Sequence, residues 1–145
     1  MHKDLTEYLG GKFPVLLEVD RTDPPTNPFQ QFGIEIGSGW FRILYQMLVE
    51  LEEIRLCGEH VYLRQVKEKF GGLRVYIDGP DKADDIVEKY SSMSYKICEI
   101  CGEEGKLRSD GWYITLCDQH DEDRHSPYSE EIIKAMLKDA TDGAI

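Results

Sequence analysis

The clearest pattern along the chain is an apolar stripe with helical spacing in residues 40–56. Its members recur every three or four positions, which predicts an amphipathic helix with one buried side. Ser38 stands where an N-cap residue is expected, and Gly58 stands where the helix should end. The stripe comprises Trp40, Leu44, Met47, Leu48, Leu51 and Ile54. We expect this helix to form the core of the fold.

After Gly58 the apolar period changes from helical to alternating. Residues 60–70 and 73–78 predict two strands of a hairpin around Gly71 and Gly72, because glycine accepts the positive φ of a tight turn. Residues 81–93 predict a second amphipathic helix. Ser126 and Pro127 are typical of the N-cap and first residue of a last one. The prediction is an α+β fold whose core helix packs on a small antiparallel sheet of two or three strands.

The first 37 residues show weaker patterns. Residues 5–9 indicate a helical turn ending at Gly10, and the apolar run 13–19 is compatible with a strand. Three prolines in residues 24–28 predict a loop or extended arm, since proline lacks an amide donor. We therefore divide the chain into residues 1–95, an α+β domain with a proline-rich N-terminal arm, and residues 96–145, a metal-binding element with a C-terminal helix. The two parts are expected to pack as one unit.

Two pairs of potential metal ligands lie close together near the C-terminus. Two residues separate Cys98 from Cys101, and Cys117 and His120 repeat that spacing. Such spacing lets one tight turn aim two ligand atoms at a single ion, and zinc prefers thiolate and imidazole ligands. Three cysteines and one histidine would complete a tetrahedral site, so we predict one structural Zn2+. His125 and Asp118 are alternatives to His120 as the fourth ligand.

Other interpretations of the cysteines stay open. Cys98 and Cys101 are also compatible with reduced core cysteines or with a redox Cys-x-x-Cys motif, although neither accounts for the second pair. Cys57 has no second candidate ligand near it in the sequence and is expected to be buried and to pack in the core. A helix expected soon after His120 favours a treble-clef-like zinc element over a ribbon-like one.

Three stretches resemble a family of short zinc-finger-containing proteins found in phage and bacterial genomes. They are residues 39–41 (Gly-Trp-Phe), residues 65–76, and the cysteine segment with Gly111-Trp112. The Lys-Phe-Gly-Gly-Leu-Arg motif at residues 69–74 is the most specific part, and the likeness spans roughly residues 32–120. The resemblance supports the zinc ligands and the hairpin. It implies a phage or prophage setting but no particular activity.

Charge and composition narrow the choice of partners. The formal net charge of -11 argues against general nucleic-acid binding, which needs a basic face. The first residues lack the apolar region of an export signal, and no apolar stretch is long enough for a membrane helix. We expect the cytoplasm of a bacterial or phage-infected cell and no membrane partner.

One group of basic and polar residues stands out in the predicted hairpin. Brought together by the two strands, it would suit a nucleotide-like anionic small molecule, because arginine gives bidentate contacts and an aromatic ring can stack. An ordinary solvated strand face is the competing interpretation. The tentative ligand-binding residues are Arg64, Gln65, Lys67, Lys69, Arg74 and Tyr76.

No catalytic constellation is apparent, so no catalytic residue is assigned. A treble-clef nuclease would need a further histidine, which residues 106–114 lack. We predict a non-catalytic, zinc-stapled binding protein of phage or prophage type, acting as a protein–protein interaction module. Trp40, Trp112 and the proline-rich arm are expected to offer contacts. The alternatives are a sequesterer of a nucleotide-like anion, of counter-defence type, and a treble-clef nuclease.

Overall fold

The computed structural model describes residues 1–17, 28–124 and 129–145, apart from the side chains of Pro28 and Gln30. Helices and two small sheets alternate along these residues, so the α+β class is confirmed. In chain order the elements are α1 (Lys3–Lys12), α2 (Pro14–Leu17), α3 (Pro28–Phe32), β1 (Ile34–Glu35), a 3-10 helix (Ser38–Trp40), α4 (Phe41–Leu56), β2 (Tyr62–Lys69), β3 (Gly72–Asp78), α5 (Asp81–Ser94), β4 (Lys106–Arg108), β5 (Ile114–Leu116), α6 (Asp118–Glu122) and α7 (Glu130–Thr141).

Helix α4 is the predicted core helix, and its apolar stripe is buried. Its side chains share one apolar cluster with residues of the sheet, of α1 and of α7, which confirms the core assignment. The start of the helix differs from the prediction. Ser38 opens the preceding 3-10 helix, and its hydroxyl accepts a hydrogen bond from the amide of His2 instead of capping α4. Trp40 occupies the N-cap position.

The larger sheet has the strand order β1–β2–β3. Strands β2 and β3 form the predicted antiparallel hairpin, whereas β1 pairs with β2 in parallel, with Ile34 opposite Val66. The prediction of a purely antiparallel sheet is therefore wrong for β1. The reason is topological, because α4 connects the two strands as a crossover, and a crossover brings the chain back in the same direction.

The tip of the β2–β3 hairpin lies one residue earlier than predicted. Lys69 pairs with Gly72, so the two turn residues are Phe70 and Gly71, with φ of 54° and 75°. A two-residue turn with both φ values positive matches the right-handed twist of the strands. The carboxylate of Glu68 accepts the amide proton of Gly71 at 2.6 Å and holds this turn.

The N-terminal segment is more helical than its sequence pattern predicts. Helix α1 continues past Gly10 to Lys12, and the described part of the expected strand 13–19 forms α2. Pro14 is the first residue of α2, a position that suits its fixed φ and its missing amide proton. Phe13 and Leu16 are buried in the core. The proline-rich arm lies largely outside the described residues.

Helix α5 agrees with the predicted second amphipathic helix and ends beside β3. The Ser94 hydroxyl accepts a hydrogen bond from the amide of Leu73 at 2.9 Å. An edge strand normally exposes such amides to solvent or to other chains. The end of α5 therefore protects this edge of the sheet.

The C-terminal part is joined to the rest of the chain by contacts from two of its segments, α7 and β5. Arg42 of α4 forms an ion pair with Asp139 of α7. Thr115 of β5 donates its hydroxyl proton to the carbonyl of Gly71 at 2.6 Å. Helix α7 begins at Glu130, and the predicted start at residues 126–127 lies outside the described residues. Among the described helices, none has both the length and the apolar character needed to cross a bilayer.

Candidate metal centre and neighbouring surfaces

The first pair of candidate ligands lies in a tight turn after α5. The amide of Cys98 bonds the carbonyl of Glu103, and the amide of Gly102 bonds the carbonyl of Cys98, at 2.8 and 2.9 Å. Gly102 follows Cys101 with φ of 82°, a left-handed conformation that glycine adopts without strain. This turn, residues 98–102, is called the metal knuckle below. It directs both thiols to one side.

The second pair of candidate ligands spans the start of α6. Strand β5 ends at Leu116, Cys117 is the N-cap of α6, and His120 lies in the first turn of that helix. The carbonyl of Cys117 accepts the amide proton of Asp121 at 3.0 Å, which starts the helix. The β4–β5 hairpin thus carries the second pair back to the metal knuckle.

The four ligand atoms converge on one point. All lie within 4.8 Å of one another. The Sγ atoms of Cys101 and Cys117 are 3.9 Å apart, and Nδ1 of His120 is 3.1 Å from Sγ of Cys117. A tetrahedron with metal–sulfur bonds of about 2.3 Å has edges of about 3.8 Å, so the spacing is close to that of a coordinated set. The quartet could therefore hold a metal ion.

Burial and charge at the quartet also suit a cation. Cys98, Cys101 and His120 are buried, and none of the chain's four cysteines forms a disulfide. Burial opposes ionisation of Cys98, but the amides of Cys101, Cys117 and Ile100 face its sulfur and leave its pKa lowered. Burial and the neighbouring Cys98 raise the pKa of Cys101 to about 12. Coordination requires these thiols to be deprotonated, and a cation between them would favour that state.

Asp118, one of the two alternatives to His120 as the fourth ligand, forms ion pairs away from the cysteines. Asp118 is largely exposed and pairs with Arg108 at 2.6 Å and with Lys106 at 3.6 Å. The hydrogen bond from Arg108 and the nearby lysine lower the pKa of the Asp118 carboxyl. The other rival, His125, lies outside the described residues. His120 is the histidine that meets the three cysteines.

The backbone of the metal knuckle lies in direct contact with the backbone before the core helix. The amide of Gly39 donates to the carbonyl of Glu99 at 2.8 Å, and the amide of Gly37 donates to a carboxylate oxygen of Glu99 at 2.9 Å. A Cβ atom on Gly39 would lie 2.1 Å from the carbonyl oxygen of Cys98, so only glycine fits there. The knuckle and the start of the core helix are therefore one packed unit.

The tentative anion-binding residues divide into two groups. Gln65 pairs with Tyr76 and Lys67 with Arg74 across the hairpin, so these residues and Lys69 share one face. Arg64 lies at a register shift and forms an ion pair with Asp78. Arg74 is also engaged, since its guanidinium donates to the hydroxyl of Tyr95 at 2.7 Å.

Exposed apolar side chains gather where the two hairpins meet. Phe70, at the tip of the first hairpin, is 62% exposed, and its ring meets the Tyr113 ring edge-on at a centroid distance of 6.3 Å. Trp112, which precedes Tyr113 in the chain, is 77% exposed. Leu107 comes close to Gly71 and is also exposed. We call Phe70, Leu107, Trp112 and Tyr113 the aromatic surface.

Two sequence-based assignments are wrong. Trp40 is predicted both in the buried stripe of the core helix and among the partner contacts; it is fully buried at the start of α4, so the stripe assignment is right and the partner contact is wrong. Cys57 was expected to be buried, but it follows the last turn of α4 and is exposed. The apolar pattern places Trp40 correctly on the buried side, but it does not extend to Cys57, which lies beyond the last residue of α4.

Sequence reasoning missed the aromatic surface except for Trp112. It also missed a cavity lined by Glu35, Glu68 and Glu99 beside the metal knuckle. Burial raises the pKa of Glu99. A glutamate inside a Cys-x-x-Cys turn was the available signal, but the other carboxylates come from distant strands.

Comparison of the chain with models of protein families, with curated proteins and with solved structures found no match. The resemblance to phage and bacterial zinc-finger proteins therefore stays an expectation, and the functional argument rests on the geometry.

Proposed function

We propose that Cys98, Cys101, Cys117 and His120 bind one structural zinc ion in a treble-clef-like element. Three thiolates and an imidazole form the soft donor set that zinc prefers, and their spacing suits tetrahedral coordination. The second pair spans the start of a helix, as a treble clef requires. Three of the four side chains are buried, which favours a structural role over one in which the ion keeps an open position for water.

We further propose that the protein is a non-catalytic binding module that docks a protein partner through the aromatic surface. The observation that carries this proposal is the conformation of Phe70. A bulky residue with positive φ is strained, and turns of this type favour Asn or Gly. Phe70 nevertheless occupies this position with its ring in solvent, where it adds little to the core. Strain at an exposed aromatic residue suggests selection for binding.

The net charge points to the chemistry of the partner. A chain of formal charge -11 attracts basic surfaces and repels acidic ones. Lys67 and Lys69 lie near the rings of Tyr76 and Phe70, so the outer hairpin face carries some positive charge beside the aromatic surface. The proposed partner segment is therefore apolar and carries basic residues, which the acidic chain attracts. It lies on the side of the aromatic surface away from Lys67 and Lys69, because these lysines would repel it.

The metal proposal is tested by measuring the metal content of the purified protein. Elemental mass spectrometry should find one zinc per chain, and Cys98→Ser should lose the zinc together with several kcal/mol of folding free energy. Cys57→Ser is the matched control, since Cys57 is exposed and follows the C-terminal end of α4, whereas the metal knuckle packs beside the start of α4; this variant should keep both the zinc and the stability. The proposal would be contradicted if the purified protein contained no metal, or if a chelator left its unfolding temperature unchanged.

The docking proposal is tested by selecting a random peptide library on the immobilised, metal-loaded protein. Enriched peptides, once synthesised, should bind Phe70→Ala and Trp112→Ala at least about tenfold more weakly, a loss of about 1.4 kcal/mol. Leu56→Ala is the control, because Leu56 is 70% exposed at the end of α4. Peptides that bind all three variants equally, or no enrichment at all, would overturn the aromatic surface as the docking site.

A second candidate function is the binding of a nucleotide-like anion on the outer hairpin face. Its support is the direct cross-strand pairing of Lys67 with Arg74, which brings two cationic side chains onto one face. Glu35, opposite Lys67 on β1, offsets only one of them. Titration with ATP, followed by calorimetry, should then show binding that Lys67→Gln abolishes. Lys134→Gln is the control, an exposed lysine in α7. Equal binding by both variants would remove this candidate.

A further inference from the structure

A cavity of about 390 Å³ lies where β1, β2 and the metal knuckle meet. Three carboxylates from three separate segments line it, together with Trp112 and three isoleucines. The volume falls at the small end of the range of ligand sites, enough for one long side chain. Its lining residues are Met1, Glu35, Ile36, Gly37, Glu68, Glu99, Ile100, Trp112 and Ile114.

Glu99 is the central group of this cavity. Glu99 is only 8% exposed, yet it is one of the residues that line the cavity. One oxygen accepts the amide proton of Gly37 at 2.9 Å, which fixes the orientation of the group. Among the described residues, no donor bonds the second oxygen of Glu99. This oxygen is not sealed from solvent, so it is available to a donor from outside the chain.

The other two carboxylates, of Glu68 and Glu35, differ in how firmly they are positioned. Glu68 uses one oxygen for the amide of Gly71, so its position is fixed by the hairpin turn. Glu35 is exposed at the end of β1. Met1 lines the same cavity. Lys67 lies opposite Glu35 on the neighbouring strand and offsets one of the three negative charges, which leaves an excess of two.

The remaining lining is apolar and aromatic. Ile36, Ile100 and Ile114 provide contacts for aliphatic carbons, and the indole of Trp112 stands largely exposed at the cavity. A guanidinium stacks well on an aromatic face and donates to several carboxylates at once, whereas an ammonium acts as a point charge. The combination of fixed carboxylates, apolar walls and an exposed indole matches an arginine side chain with its aliphatic stem.

We propose that this cavity binds one arginine side chain of the partner segment that lies on the aromatic surface. The inference rests on the proposed docking function, because Trp112 belongs to both sites. The cavity gives the interaction its specificity, since the rings of the aromatic surface accept many apolar residues while the carboxylates select one cation. The metal knuckle supplies Glu99 and Ile100, so the metal site positions the pocket.

The probe is N-acetyl-arginine-methylamide, titrated into the metal-loaded protein and followed by two-dimensional NMR. We expect binding in the millimolar range that shifts the amide of Gly37 and the indole of Trp112. The citrulline analogue has the same shape without the charge and should bind at least about tenfold more weakly. Glu99→Gln should weaken arginine to a similar degree, because the amide oxygen can still accept from Gly37 but carries no charge.

Two further variants separate binding from folding. Glu35→Gln removes an exposed carboxylate, cannot disturb the core, and should still weaken arginine severalfold. Glu53→Gln makes the same change at an exposed position on α4 and should bind like the parent protein. Arginine binding that is unaffected by Glu99→Gln and Glu35→Gln, or equal binding of citrulline, overturns the proposal.

The same titration identifies the source of the cation. Methylguanidinium lacks the aliphatic stem and should bind more weakly than the capped arginine; equal binding would overturn the assignment to a side chain in favour of a free organic cation. The capped residue is too short to need the aromatic surface. A failed titration together with successful peptide selection would therefore reject the pocket alone, and the reverse result would reject the docking surface alone.

Discussion

The indole Nε1 of Trp40 donates a hydrogen bond to the carbonyl oxygen of Ile97 at a distance of 2.8 Å. Trp40 caps the core helix, and Ile97 directly precedes the first candidate metal ligand. The bond therefore joins the largest buried side chain of the core to the metal knuckle. Gly39, the residue before Trp40, adds the backbone contact to Glu99. The metal site and the core are predicted to unfold together.

The first prediction compares the two tryptophans. Trp40→Phe removes the donor to Ile97 and leaves a void in the core, so we expect a loss of about 2–4 kcal/mol in the free energy of unfolding. Trp112→Phe changes an exposed residue and should cost less than about 0.5 kcal/mol. Urea unfolding of the metal-loaded proteins measures both. Similar costs for the two variants would contradict the role assigned to Trp40.

The second prediction gives opposite signs to two glycine substitutions. Gly39→Ala places a Cβ 2.1 Å from the carbonyl oxygen of Cys98 and should destabilise the protein by about 2 kcal/mol or more while loosening metal binding. Gly10→Ala lies in α1 with no atom near its Cβ, so it should stabilise by about 0.5–1 kcal/mol. Thermal unfolding and a competition titration with a zinc chelator measure the two effects. Stabilisation by Gly39→Ala would disprove the close contact.

The third prediction separates stability from binding at the hairpin tip. Phe70→Asn places a residue that tolerates positive φ in the turn, so the free energy of unfolding should rise by about 0.5–1 kcal/mol. Peptide binding at the aromatic surface should fall at the same time. Urea unfolding and the affinity of a selected peptide are measured on the same sample. A variant that is less stable would mean that Phe70 serves the fold.

The fourth prediction concerns pH and the contact between α4 and α5. Hydrogen bonds from Lys89 and then Tyr90 lower the pKa of Glu50. A lowered carboxyl pKa contributes stability above its ordinary value of about 4.3 and loses it as the pH falls through the folded-state value. Glu50→Gln should thus cost about 0.5–1 kcal/mol at neutral pH, and this cost should shrink below about pH 4.

The measurement for Glu50 is the difference in unfolding free energy between parent and variant across the pH range. Glu53→Gln on the same helix is the control and should show no such trend, since Glu53 is exposed. Carbon-detected NMR titration of the Glu50 carboxyl gives a direct check. A Glu50 pKa at or above the ordinary glutamate value of about 4.3 would contradict the assignment.

Local patterns account for the parts of the structure that were predicted correctly. The four candidate metal ligands come from two turns, each only four residues long, and the spacing within a turn limits where its side chains can point. The stripe of α4 and the alternation in β3 likewise depend on neighbours a few positions away. The strand predicted at residues 13–19 failed for a local reason too, because Pro14 starts a helix more readily than it enters a sheet.

Contacts between distant segments account for the rest. Phe70 and Tyr113 meet because Thr115 bonds the carbonyl of Gly71, a contact with no periodicity in the sequence. Likewise, β1 joins the sheet as a parallel strand only because α4 returns the chain across it.

The sequence by itself determined the core helix, the hairpin and the residues able to hold a metal ion, because each depends on the spacing of residues within one helix, hairpin or turn. Only the tertiary structure decided that Glu35, Glu68 and Glu99 share a cavity and that Phe70 meets Tyr113 in solvent. The physical reason is that packing between elements, not their local pattern, decides which side chains lose contact with water.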